Sequence, residues 1–222
     1  THPHTERQEV LFDDHRCLRR SIQDERPEVN MDGGPFEAAM GVNVNISGNS
    51  DLTYSDLGKG LILEQREFVA KNYLVSDSIR KLNWKLTGDT ATILGYPCQQ
   101  AVTQQIGKRM APVIENGDVK NREVADTVQV MAWFTLAIPV QAGPEYQGQL
   151  PGLILGLDIN KGRMVYKAIE VTDKIDPAAI REPSKGKKIT AANFEKEQAK
   201  LLKEIERNNS GKGRTMRVGI GG

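Results

Sequence analysis

The sequence predicts a mainly β protein: a curved antiparallel sheet, a half-barrel or barrel, with a C-terminal helix and polar terminal extensions. Three observations carry this. Between residues 37 and 173, short apolar and β-branched stretches recur at close spacing, with polar or Gly positions between them and little helical pattern. A run without Gly or Pro that bears a helical apolar stripe lies near the C-terminus, at 191–207. One short helix cannot cover a sheet of that size, so the sheet must curl on itself, with the helix against its open side. A curled sheet encloses a groove, the first feature with functional content.

Residues 1–36 read as a polar front arm. Thr5-Glu6-Arg7-Gln8 fits a capping box, and Leu11, Leu18 and Ile22 fall on one helical face. A short amphipathic helix is expected there, ended by Pro27 and Gly33-Gly34, with frayed coil as the competing reading. Residues 37–173 read as the sheet domain. Val42-Asn43-Val44-Asn45-Ile46 alternates with period two, as a half-buried strand does. Residues 67–75, 81–85 and 90–94 are further short strands, and 99–106 continues the series after Pro97. Residues 127–135 mix β-branched, apolar and aromatic side chains, and Asn116-Gly117 marks a turn. Residues 153–159 and 164–171 flank Asn160-Lys161-Gly162, a connection that suits a hairpin. Residues 174–222 read as a basic helix and tail. Thr190 can cap the helix, Phe194, Leu201, Leu202 and Ile205 form its stripe, and Glu197 can pair with Lys200 on the wet side.

The 222 residues carry 30 Lys+Arg and 29 Asp+Glu, a formal charge of +1. That balance argues against a dedicated nucleic-acid binder, which shows a strong basic excess. The average hides a gradient: residues 1–36 sum to −3, 37–173 to −2 and 174–222 to +6. Lys185, Lys187 and Lys188, followed by Lys212, Arg214 and Arg217, read either as a solvated face and tail or as a contact for acidic lipid headgroups or an acidic partner surface. The longest apolar stretches fall far short of the ~20 residues of a membrane helix, so no transmembrane segment is expected and any membrane association is peripheral. No apolar leader opens the chain, which reads as a cytosolic or an already processed protein.

At residues 143–155 the chain runs Gly-Pro-Glu-Tyr-Gln-Gly148-Gln149-Leu150-Pro151-Gly152-Leu153-Ile154-Leu155. With Lys71 to Asp77, Trp84, Gly95 to Ala101, Ala132-Trp133-Phe134-Thr135 and Ile138-Pro139, this resembles the GLPGLI family of exported Bacteroidota proteins over roughly residues 45–195. Gln149 stands where that family has its first motif glycine, so a turn relying on a special backbone angle there must differ. The resemblance implies export to the periplasm or the cell exterior and a half-barrel like that of lipoprotein carriers. It brings no catalytic residues and no cofactor. The motif itself reads as a constrained turn leading into an apolar strand. It is either a fold-defining turn packed on Trp133 or a recognition loop at the mouth of the groove. In the second case Gly148, Leu150, Pro151, Gly152, Trp133 and Trp84 are the binding candidates.

Little else in the sequence points to chemistry. His2, His4 and His15 all lie in the first 15 residues, so a His-dependent nucleophile would need its base from the front arm. A free amine with His2, His4 and one of Asp13, Asp14 or His15 could hold copper or zinc, or the start is simply solvated. Cys17 and Cys98 lack metal-ligand spacing. With export implied, they could form one bridge, worth roughly 4 kcal/mol in the chain-entropy model, or remain unrelated thiols. The expected function is therefore a non-enzymatic exported accessory or binding protein that docks to a protein partner in an outer-membrane or other cell-envelope complex. A periplasmic carrier of a small apolar ligand and a carboxylate-based hydrolase are the alternatives.

Overall fold

A computed structural model describes residues 5–22, 50–115 and 118–211. Outside these lie the expected strand at 42–46, the breaks at Pro27 and Gly33-Gly34, the turn at Asn116-Gly117, His2, His4 and the basic tail beyond 211. The chain is mainly β, as expected, but among the described residues the strands form two sheets instead of one curled sheet, and neither closes into a barrel. The first sheet contains β1 (Arg7–Phe12), β2 (Arg16–Ile22), β3 (Ser50–Asp56), β4 (Leu61–Phe68), β5 (Lys71–Ser78) and β11 (Lys187–Thr190), in the order β1-β2-β3-β4-β5-β11. The second contains β6 (Lys85–Ile93), β7 (Tyr96–Glu115), β8 (Asp118–Thr135), β9 (Leu153–Ile159) and β10 (Met164–Lys167), in the order β10-β9-β8-β7-β6. All neighbours are antiparallel except β11, which runs parallel to β5. Helix α1 (Ala191–Gly211) follows β11 directly.

The front of the chain is a hairpin and not a helix. Leu11 and Leu18, which fall on one helical face by spacing, sit opposite each other across β1 and β2. Asp13 closes the turn, accepting from the backbone N–H of His15 at 2.9 Å and of Arg16 at 2.7 Å. This is the Asx-type turn that a short acidic side chain supplies. Residues 67–75 are likewise two strands and not one. Val69 and Ala70 turn between β4 and β5 with φ of 50° and 56°, a left-handed pair with no Gly or Asn to announce it. Residues 81–85 form no strand up to Trp84; they connect the two sheets.

The first sheet has one face under residues 175–180, where Leu18, Tyr54, Leu63 and Leu74 pack with Ile180. Its other face has three covers. At the β1–β2 end the second sheet packs on it, with Cys17 in one cluster with Cys98, Leu153 and Leu155. At the β4–β5 end α1 packs on it, with Phe194 edge-on to Tyr73 at 5.1 Å and to Phe68 at 6.2 Å between ring centroids. Between the two lies the polar loop at 143–149, tied to Arg19 and Ser55. Thr190 caps α1 as expected, its hydroxyl accepting from the backbone N–H of Asn193 at 3.3 Å. Leu201 and Leu202 pack with Phe194. Glu197, however, pairs across to Lys187 of β11 at 3.0 Å and not with Lys200, because β11 brings that ammonium alongside the first turns of the helix.

Candidate functional site

The motif loop is tightly constrained at two of its glycines. A Cβ on Gly152 would lie 2.0 Å from the carbonyl oxygen of Thr135, a separation no side chain tolerates. Gly148 has φ of +75° and a Cβ there would meet Ile79 Cδ1 at 2.8 Å. The buried amide of Gln147 accepts from Ser55 Oγ at 2.5 Å and donates to the Gly143 carbonyl at 3.0 Å, joining the loop to the first sheet and to its own start. Lys81 Nζ donates to the Gly148 carbonyl. Gln149, where the resemblance leads one to expect glycine, has no left-handed backbone. Its side chain instead grips the connection between the sheets, accepting from Leu82 N–H at 2.9 Å and donating to the Arg80 carbonyl at 2.8 Å.

The six binding candidates do not converge on one opening. Leu150 is buried among Ala101, Val130 and Phe134, with Trp84 packed against that cluster and edge-on to Tyr146 at 5.8 Å. Trp133 belongs to the cluster on the opposite face of the second sheet, with Leu153 and Leu155. Gly148 and Gly152 are enclosed by backbone and aliphatic neighbours, and Pro151 alone of the six is exposed. Trp84 Nε1 is buried without a partner among the described residues.

The structure adds a charged tie that sequence inspection missed. Arg19, only 6% exposed, donates to Glu145 Oε1 at 2.6 Å and to Thr53 Oγ1 at 2.8 Å. Tyr166 donates to the same carboxylate oxygen at 3.3 Å. Burial pushes the Glu145 carboxyl above its ordinary value, against the pull of the Arg19 guanidinium. Burial also pushes the Tyr166 phenol up to about 12, with the Glu145 charge adding to the shift. An acid whose accepting oxygen is held by two donors is suited to joining elements: Arg19 comes from β2, Glu145 from the loop and Tyr166 from β10. An Arg alternating with Cys17 on one strand face was the available signal; its partner, 126 residues away, was not.

Cys17 and Cys98 are both buried, both free thiols, and share one apolar cluster between the sheets. Burial pushes the Cys17 thiol up to about 12, and that of Cys98 in the same direction. His15 is exposed, in the β1–β2 turn. Among the described residues, no three His, Cys, Asp or Glu side chains gather as a metal site. An open groove of about 500 Å³ lies between β5, β11 and α1, lined by four lysines (Lys71, Lys187, Lys196 and Lys200) and two glutamates (Glu197 and Glu204), with Asn193 and Leu201. Lys187 and the Tyr73 hydroxyl both hydrogen-bond Glu197, holding its carboxyl below the ordinary value. Among the described residues no helix is long and apolar enough to cross a membrane.

The feature furthest from a packed fold is an arm. β7 pairs with β6 only as far as Val102, and β8 pairs with β9 only from Val130 onwards. The β7–β8 ladder nevertheless continues unbroken from Thr103↔Val130 to Glu115↔Asp118. A two-stranded ribbon therefore extends roughly 40 Å past its neighbours in the sheet. Ile106 and Ile114 stand on one face of it, 79% and 75% exposed.

A family model described as a protein of unknown function (Porph_ging) matches residues 84–156, which span β6, β7, β8 and the motif loop. No curated protein matches the chain. Two solved structures of PNGF-II are similar in fold. The one in space group C2 has a TM-score of 0.54 at 17% identity, covering 89% of this chain and 30% of that one. The one in space group P21 has a TM-score of 0.51 at 15% identity, covering 90% and 31%. The chain thus spans about a third of the length of that protein, and at such identities the likeness is one of fold.

Proposed function

We propose that the chain is a non-enzymatic accessory protein of the GLPGLI type, exported to the periplasm or cell surface, that docks to a protein partner of a cell-envelope complex through the β7–β8 arm. The arm is the observation that carries this reading. A two-stranded ribbon on its own is marginally stable in water, and this one continues past the sheet over residues 103–115 of β7 and 118–129 of β8. Such a ribbon gains stability by lying against another surface, and its apolar positions, Ile106 and Ile114, face the same way. The body is by contrast closed around the motif loop, which makes it a platform for the arm. The C-terminal groove, whose four lysines outnumber its two glutamates, is a second polar contact for an acidic partner surface.

The test compares the full chain with a variant in which residues 105–128 are replaced by Asn-Gly, which joins the cross-strand pair Gln104 and Gln129 by a two-residue turn. Both are purified from native membranes in mild detergent. The full chain is expected to co-elute with a partner, and the shortened chain to elute without it. A full chain that elutes without any other protein overturns the reading, as does a shortened chain that keeps the same partner.

A further inference from the structure

We propose that the open edge of β8 pairs antiparallel with the same edge of a second copy of the chain, joining two arms into one four-stranded sheet. The inference goes beyond the docking reading and does not depend on it: it concerns the backbone edge of the arm, not its isoleucine face. Backbone parity shows which groups the edge offers. Pro112 lies opposite Asn121 in the ribbon. Proline has no N–H to give, so this must be a pair in which both residues turn their backbone groups away from each other's strand. The N–H and C=O of Asn121 then point to the free side of β8, and so do those of Val119, Glu123, Ala125 and Thr127. Gln129, next in the series, agrees independently: its carbonyl faces away from β7 and accepts from Asn160 N–H at 2.7 Å, where β9 ends. Among the described residues no strand pairs with β8 on this side between 119 and 127.

A second copy fits this edge in three respects. An antiparallel two-fold sets the five outward residues of one β8 against the five of the other, for about ten backbone hydrogen bonds centred near residue 123. The pairing uses the full open length and stops where β9 begins. Because β8 runs from the tip of the arm to the body, the two bodies lie at opposite ends of the joint sheet and do not meet. Growth also ends at two copies. The outer edges of the four-stranded sheet are the two β7 strands, and each turns Pro112 outward with no N–H to offer a further strand. The result is a closed pair and not a fibre, and the ribbon gains the additional strands that independent stability requires.

Sedimentation velocity and light scattering on the purified full chain, from low micromolar to several hundred micromolar, read the association directly. The expected mass at the upper end is about twice 24.6 kDa. Ala125→Pro removes one outward N–H while leaving the β7–β8 ladder intact, as Pro112 does on the facing strand, and is expected to weaken association at least tenfold. Amide exchange on the unmodified chain gives a readout independent of any variant. The amides of Val124 and Asp126, which point to β7, are expected to be protected at every concentration, while those of Ala125 and Thr127 gain protection as concentration rises. A mass of one chain throughout the range overturns the proposal, whether the edge is then unused or covered from within the chain. So does a dimer that Ala125→Pro leaves unchanged, or outward amides that exchange freely at the highest concentration.

Discussion

The loop at 143–152 and the ribbon at 103–130 grow from the same second sheet and are held in opposite ways. The loop is fixed by neighbours that cannot move. Gly152 lies against the Thr135 carbonyl, Gln147 is bonded to Ser55, and Glu145 is gripped by Arg19. In the ribbon, between Thr103 and Glu115, β7 pairs only with β8 among the described residues. Tertiary contact specifies the loop throughout, whereas in the ribbon such contact is confined to the base, where Thr103 donates to the Asn83 carbonyl, Tyr146 to Gln105 and Val128 packs on the core, and cross-strand hydrogen bonding carries the rest. Sensitivity to substitution should therefore concentrate in the loop, and sensitivity to concentration and partners in the arm.

A pair of glycine substitutions gives the largest contrast. Gly152→Ala places a Cβ 2.0 Å from the Thr135 carbonyl oxygen, so either the loop or the end of β8 must move. We expect a loss of about 3 kcal/mol in urea-induced unfolding, the scale of severe overpacking. Gly107→Ala in the arm places a Cβ no nearer than 4.0 Å to the Asp126 carbonyl, and should stay within about 0.5 kcal/mol of the parent. Similar unfolding midpoints for the two variants would mean that the loop is not the tighter region.

The charged tie should show an intermediate effect and a pH signature. Arg19→Met leaves Glu145 without its guanidinium in the interior. Removing one partner of a fully buried pair costs about 3–5 kcal/mol, and the remaining 35% exposure of the Glu145 side chain reduces this to about 2 kcal/mol. The folded Glu145 carboxyl already sits above its ordinary value of 4.5. The fold thus favours its protonated form, so this group's contribution to stability is complete below pH 4.5 and is lost as pH rises through the folded value. Without Arg19 the carboxyl is pushed higher still. Arg19→Met should therefore be less destabilised at pH 5 than at pH 8, measured as the urea midpoint relative to the parent at each pH. An equal loss at both would mean that Glu145 is not the group left uncompensated.

These contrasts also show why some of the molecule was legible in the sequence and some was not. Strand β9 and the hairpin at Asn160-Lys161-Gly162 were read correctly because apolar run and turn chemistry coincide there: all three turn residues have positive φ, including the Gly. The β4–β5 turn was missed because Val69 and Ala70 adopt left-handed angles that their side chains disfavour, held by the eight-rung ladder on either side. The front hairpin was read as a helix because Leu11, Leu18 and Ile22 satisfy a helical spacing; cross-strand pairing overrode it. The division into two sheets was out of reach, because it depends on residues 79–84 leaving one sheet for the other, and no composition marks that. The arm was hidden for a related reason: each of its strands looks like any other, and only the early end of β6 and β9 pairing reveals it. The Arg19–Glu145 tie joins residues too far apart in sequence for any spacing rule to connect them.

The smallest effect bears on the one motif position where the chain departs from the family pattern it resembles. Gln149→Gly restores that pattern and removes two hydrogen bonds, from Leu82 N–H and to the Arg80 carbonyl. Because Gln149 is not in a left-handed conformation, the glycine relieves no strain and adds freedom to the unfolded chain. Loss of two partly exposed hydrogen bonds should lower stability by about 1 kcal/mol, which urea unfolding resolves. Amide exchange at Leu82 should accelerate well beyond that global change, because its acceptor is gone, while the Gly148 amide, bonded to the Gln141 carbonyl at 2.7 Å, should follow the global change alone. If instead the glycine variant is the more stable, a left-handed turn is available at this position and Gln149 opposes it. The loop would then be held by Gly148, Gly152 and Gln147 without help from the connection between the sheets, and the contrast with the arm would rest on fewer contacts than the structure shows.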